Sequence, residues 1–131
     1  MVYSKKLGSQ FTATKGKKPP APNTRMKTDA IKTEIESISG QIVMKYRPVK
    51  IILFGSAGRG DYENVNDLDF LVIKEDVPLA GIDRMRELDS LIDRNIAVDM
   101  IVYRPDEIDD RIRLGDPFIK AILQEGRVLY G

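Results

Sequence analysis

Three aspartates stand where structural needs alone do not put them. Asp67 and Asp69 are two residues apart at the head of a run that continues Phe70-Leu71-Val72-Ile73. The period of two in a β-strand puts both carboxylates on one face of a sheet. Asp99 interrupts Ile96-Ala97-Val98-Asp99-Met100-Ile101-Val102, a run that otherwise reads as buried strand. Ionised carboxylates beside apolar neighbours are costly unless compensated. Like charges on one face also raise each other's pKa unless a cation lies between them. One divalent cation shared by Asp67, Asp69 and Asp99 answers both costs. Blander readings exist for each. Asp67 and Asp69 suit a solvated strand start capped by the turn Asn64-Val65-Asn66, and Asp99 suits a salt bridge to an arginine such as Arg94.

A second feature precedes the aspartate pair. Gly55-Ser56-Ala57-Gly58-Arg59-Gly60 directly follows Ile51-Ile52-Leu53-Phe54. A glycine turn feeding a short helix exposes unpaired N–H groups and a positive helix end, which suits a polyphosphate. Gly55 lets the backbone approach closely, Ser56 offers a hydroxyl and Arg59 a charge. Such a turn alone is weak, because glycine and serine commonly terminate strands. A phosphate cradle followed by a carboxylate pair on the next strand is a stronger combination.

These residues need elements to hold them. Ile31, Ile35, Ile38, Ile42 and Tyr46 recur at steps of four and three, which predicts an amphipathic helix with Thr28 or Asp29 as N-cap and Pro48 beyond its end. Val49–Phe54, Leu68–Ile73 and Ile96–Tyr103 read as mostly buried strands. Between the last two, Ile82, Met85, Leu88 and Leu91-Ile92 predict a second amphipathic helix with mixed charges on its outer face. Pro105-Asp106-Glu107 opens a short helix, and Asp116-Pro117 opens another that Gly126 closes. Arg127-Val128-Leu129-Tyr130 reads as a last, edge strand. The order α-β-(α)-β-α-β-α-α-β predicts an α/β sandwich with a mixed sheet.

Composition narrows the chemistry further. The 131 residues include no cysteine and no histidine, so disulfide frameworks, histidine-ligated zinc and histidine-based hydrolysis are excluded. What remains is chemistry on carboxylates, hydroxyls, lysine or arginine, with a hard, oxygen-bound cation such as magnesium if there is a metal. A cytoplasmic location is expected, with no membrane-spanning run. The formal charge of +1 hides a split: residues 1–27 hold seven basic residues and no acid, leaving 14 basic against 20 acidic from Thr28 onward, a net of −6. Residues 1–27 are expected to be a disordered basic leader. It is a solvated tail, an extension foreign to a native chain starting at Met26, or a nucleic-acid-binding arm. Residues 28–131 form the domain, whose negative charge argues against direct nucleic-acid binding.

Gly55-Ser56, ten intervening residues, then Asp67-Leu68-Asp69 resembles the signature of the DNA polymerase β-like nucleotidyltransferase superfamily. The stretch from Leu53 to Val72, and the ending from Asp116 to Tyr130, are similar to its small single-domain branch, the minimal nucleotidyltransferases. Two departures stand out: Ala57-Gly58 where many members have Arg-Ala, and Asn66 where serine is usual. The resemblance implies the superfamily's fold, a small mixed β-sheet flanked by α-helices. It implies two Mg2+ ions held by the catalytic aspartates Asp67, Asp69 and Asp99. ATP would be the substrate, with its β and γ phosphates on Gly55 and Ser56 and with Arg59 nearby. It further implies transfer of AMP to a hydroxyl, and for this branch a partner. That partner is a small all-helical HEPN toxin whose tyrosine is modified, the chain being the antitoxin of a toxin-antitoxin pair. Larger members add an acceptor-binding domain for which this chain has little room. Two other readings stay open: a non-catalytic module that neutralises a helical partner by covering it, and a transferase for a small molecule.

Overall fold

The computed structural model describes residues 24–131; the expected disorder of the leader lies outside the described residues for residues 1–23. The first helix, α1, spans Thr24–Tyr46. Its buried stripe is the expected one, with Ile31, Ile35, Ile38, Ile42 and Tyr46 all in the core. Its start is not. The helix runs four residues upstream of Thr28, into the stretch assigned to the leader, because no breaker lies between Thr24 and Thr28 and propagation adds a hydrogen bond per residue. Lys27 is tied down by its Nζ donating to the Glu63 carbonyl at 2.6 Å. The helix ends where Arg47 turns into the left-handed region at φ 55°. Its N–H reaches back to the Ile42 carbonyl at 3.2 Å, and Pro48 prevents continuation.

Strand β1 (Lys50–Phe54) leads into the four-residue helix α2 (Gly55–Gly58) and a 3₁₀ turn over Tyr62–Asn64. Strand β2 (Asp67–Ile73), helix α3 (Gly81–Leu91) and strand β3 (Ala97–Tyr103) follow as a parallel crossover unit. Helices α4 (Pro105–Arg113) and α5 (Pro117–Glu125) precede strand β4 (Arg127–Tyr130). The sheet order is β3-β2-β1-β4. β1 runs antiparallel to both β2 and β4, so the sheet is mixed, and β4 lies at an edge as expected. Asp116 caps α5 by accepting from the Phe118 N–H at 2.9 Å and the Ile119 N–H at 3.3 Å, with Pro117 at the first helical position.

Alternation along the strands sorts the core into two layers. Ile51, Leu53, Leu68, Phe70, Val72, Met100 and Val102 face α1 and α3. Ile52, Leu71 and Ile73 face α4 and α5, meeting Ile108, Ile119 and Ile122. Phe70 is fully buried in the central pair of strands. Phe70→Ala should therefore destabilise the fold by ~3–5 kcal/mol, read as a drop in the urea unfolding midpoint. No helix among the described residues is long and apolar enough to cross a membrane.

Helix α3 departs from its expected orientation. Leu88 and Ile92 are buried, but the third member of that stripe is Arg84, at 2% exposure, while Ile82 is 49% exposed. The guanidinium is buried at little cost because its donors are taken up. Nε donates to the Pro78 carbonyl at 2.5 Å, and Nη1 to the Val102 carbonyl at 3.2 Å and the Glu107 carboxylate at 2.6 Å. Nη2 donates to the Leu79 carbonyl at 3.2 Å. Glu107 in turn accepts from the Arg104 N–H at 2.8 Å, capping α4. The hydrogen bond from Arg84 is the main reason its carboxyl is held below the usual range.

Candidate active site

Strand register brings the carboxylates together. Asp69 pairs with Phe54 on β1 and with Asp99 on β3. Because β2 and β3 are parallel, Asp67, Asp69 and Asp99 share one face, the face covered further along by α4 and α5. Asp69 lies in the middle, half-buried, and Asp67 and Asp99 are exposed. The expectation that Asp99 sits within a buried strand is corrected here: β3 is an edge strand, and only its alternate side chains, Met100 and Val102, are buried. The desolvated carboxyl is Asp69. Burial chiefly, then the charges of Asp67 and Asp99, push it up to about 6. The arginine considered as a partner for Asp99 is buried and pairs with Asp89 at 2.7 Å.

The glycine turn meets this cluster from β1. Gly55 adopts φ 68°, and a Cβ there would overlap the Asp69 carboxylate. Only glycine permits that close approach in that conformation. Ser56, half-buried, follows at the start of α2, and its carbonyl accepts from the Asp61 N–H at 3.0 Å. Ala57 is 1% exposed within the core. A Cβ on Gly58 would overlap the Leu53 carbonyl. The Ala57-Gly58 departure thus reflects tight packing of α2 on β1. Arg59 is exposed and lines a small cavity of about 130 Å³ with Phe54, Gly55 and Phe118. Asp99 borders a different cleft, beside α3.

The donor set fits a hard divalent cation. Three carboxylates offer oxygen ligands; burial chiefly, and then their mutual repulsion, raises Asp69, and a cation between them would oppose that shift. Among the described residues no group of three acidic side chains lies close enough to hold a metal ion by itself, so the three aspartates supply the donor type and not a preformed cage.

Comparison with known proteins decides the family. The pattern described as polymerase beta, nucleotidyltransferase matches residues 36–131. This chain belongs to the polymerase β nucleotidyltransferase family. A Methanocaldococcus jannaschii protein named "Putative protein adenylyltransferase" is 34% identical over 98 residues, covering 73% of this chain and 94% of that protein. A crystal structure from Sulfolobus solfataricus, described as that of a "putative nucleotidyltransferase", superposes with a TM-score of 0.52 at 26% identity. It covers 73% of this chain and 84% of that one. The expected α/β fold and the nucleotidyltransferase assignment therefore hold.

The charge cluster carries its own signature in this nucleotidyltransferase. A carboxyl whose pKa is higher in the folded than in the unfolded chain stabilises the fold fully below the unfolded value. That contribution is lost as pH rises through the folded value. In chelator, the melting temperature of wild type relative to Asp69→Asn should therefore fall between about pH 4 and pH 6. Partial exposure limits the difference to on the order of 1 kcal/mol. A flat difference across that range would mean that neither burial nor the neighbouring carboxylates raise Asp69.

Proposed function

We propose that this chain transfers AMP from ATP to a hydroxyl on a protein, with Asp67, Asp69 and Asp99 as the catalytic carboxylates. The observation that carries the reading is the register that sets Asp69 beside Asp99 while Gly55 packs against Asp69. It puts a close-approach glycine turn and three hard oxygen donors at one end of three adjacent strands. The donor set suits two Mg2+ ions held by the three aspartates. When bound, such ions neutralise phosphate charge and lower the pKa of the attacking hydroxyl.

The residues of the chain do the rest. Gly55 and Ser56 hold the β and γ phosphates, and Arg59 adds positive charge at the turn. Asp99, exposed on its edge strand, faces the incoming hydroxyl and takes up its proton. The acceptor oxygen bonds to the α-phosphorus, the bond from that phosphorus to the β-phosphate oxygen breaks, and pyrophosphate leaves. Rate enhancement comes from positioning and charge neutralisation.

The relative named as a protein adenylyltransferase supports a protein acceptor. The minimal-nucleotidyltransferase resemblance points to a tyrosine of an all-helical HEPN toxin, with this chain as its antitoxin in the cytoplasm. A net −6 from Thr28 onward favours a basic, RNA-cleaving partner. Incubation with the HEPN protein and ATP labelled at either the α- or the γ-phosphate tests this. Label should pass to the partner's tyrosine only from the α-labelled nucleotide. Tight binding of the partner with no label transferred would instead identify a neutralising module without catalysis.

A further inference from the structure

The inverted burial of α3 exposes apolar side chains beside β3. Packing Arg84 into the core leaves Ile82 outward, and the adjoining Leu79 is 89% exposed. Both line a cleft of about 390 Å³ with Met85, on the outer side of β3, and Asp99 lies in the same lining. The volume falls within the ~300–1,000 Å³ typical of small-ligand sites. A sequence that buries an arginine and exposes the neighbouring aliphatic side chains breaks the usual pattern. Such breaks concentrate at functional sites.

We propose that this cleft is the acceptor subsite of the transferase, and that Leu79, Ile82 and Met85 select a hydroxyl carried on an aromatic ring, a tyrosine of a protein segment. This rests on the transferase reading above and adds to it the place and basis of acceptor choice. Apart from Asp99, the charged groups of the cleft are already engaged: Arg84 with Glu107 and three backbone carbonyls. A polyhydroxylated sugar would meet one carboxylate, Asp99, and would press its other hydroxyls against the apolar wall without partners. A serine side chain is too short to cover the apolar wall. A phenol covers the wall with its ring and carries the hydroxyl at its far end, toward Asp99.

The test uses the full chain labelled at its backbone amide nitrogens and at its Ile, Leu and Met methyl groups, followed by NMR. Mg-ATP is added first, and shifts at the Gly55 and Ser56 amides report on the transferase reading by themselves. N-acetyltyrosinamide, N-acetylserinamide and glucose are then titrated separately. The tyrosine amide alone should shift the Leu79, Ile82 and Met85 methyls. Ile82→Asp should weaken that response at least fivefold while leaving the Mg-ATP shifts unchanged. If Mg-ATP binds but the tyrosine amide shifts none of these methyls, or the serine amide or glucose shifts them equally, the acceptor subsite is wrong and the transferase reading survives. If Mg-ATP shifts nothing at Gly55 and Ser56, the transferase reading itself fails and takes the subsite with it.

Discussion

Asp99→Asn should lower nucleotide transfer by ~100-fold or more while changing the melting temperature by no more than about 3 °C. The amide keeps the volume of the side chain and loses its charge. Asp99 is exposed on an edge strand, and the arginine that could have needed it is paired with Asp89. Removing the carboxylate therefore leaves no buried cation stranded. It also relieves part of the repulsion that Asp69 feels, so any stability change in chelator should be a small gain. A structural carboxylate would behave in the opposite way, since breaking a buried ion pair costs ~3–5 kcal/mol. A destabilised Asp99→Asn variant that still transfers nucleotide would remove Asp99 from the catalytic set.

Arg84→Met should produce the largest loss of stability among single changes outside the apolar core, ~3–5 kcal/mol by urea unfolding. Arg84 is 2% exposed, and it ties together the 78–79 loop, β3 and the cap of α4. Methionine fills the space but removes the donor shared by the Glu107 carboxylate and three carbonyls; Glu107 keeps the Arg104 N–H, the Val102 carbonyl is left buried and unmet, and unmet buried acceptors are what make such losses large. Arg84→Met combined with Glu107→Gln should recover part of the loss, since no uncompensated charge then remains at the cleft floor. A single-variant loss below about 1 kcal/mol would mean that water replaces the guanidinium and that the floor is not a fixed structure.

Much of this was legible in the residues, and the failures have physical causes. The α1 stripe was readable because its apolar residues fall on one face without competition. The Asp67–Asp69 pair was readable because strand alternation is strict. Ranges of the strands shifted by at most a residue, from Val49 to Lys50 and from Leu68 to Asp67 at their starts. The exposure of Asp99 is not legible, because an apolar run does not reveal whether its strand is central or at an edge. That depends on sheet order, which is non-local. The buried face of α3 differs from the expected one because hydrophobic periodicity assumes that charge points outward. Stepping back in fours from Ile92 through Leu88 lands on Arg84, so the signal was present in the spacing. What the spacing could not supply was the set of partners, Glu107 and the carbonyls of Pro78, Leu79 and Val102, that make a buried guanidinium affordable. The abutment of Gly55 on Asp69 likewise arises from β1–β2 register.

If Asp67, Asp69 and Asp99 bind nucleotide through a divalent cation, calorimetric titration of ATP shows it most directly. With Mg2+ present, ATP should bind the wild-type chain at least tenfold more tightly than in chelator, about 1.4 kcal/mol, and the Asp67→Asn Asp69→Asn double variant should lose that difference. Equal ATP affinity with and without metal in the wild-type chain would contradict it.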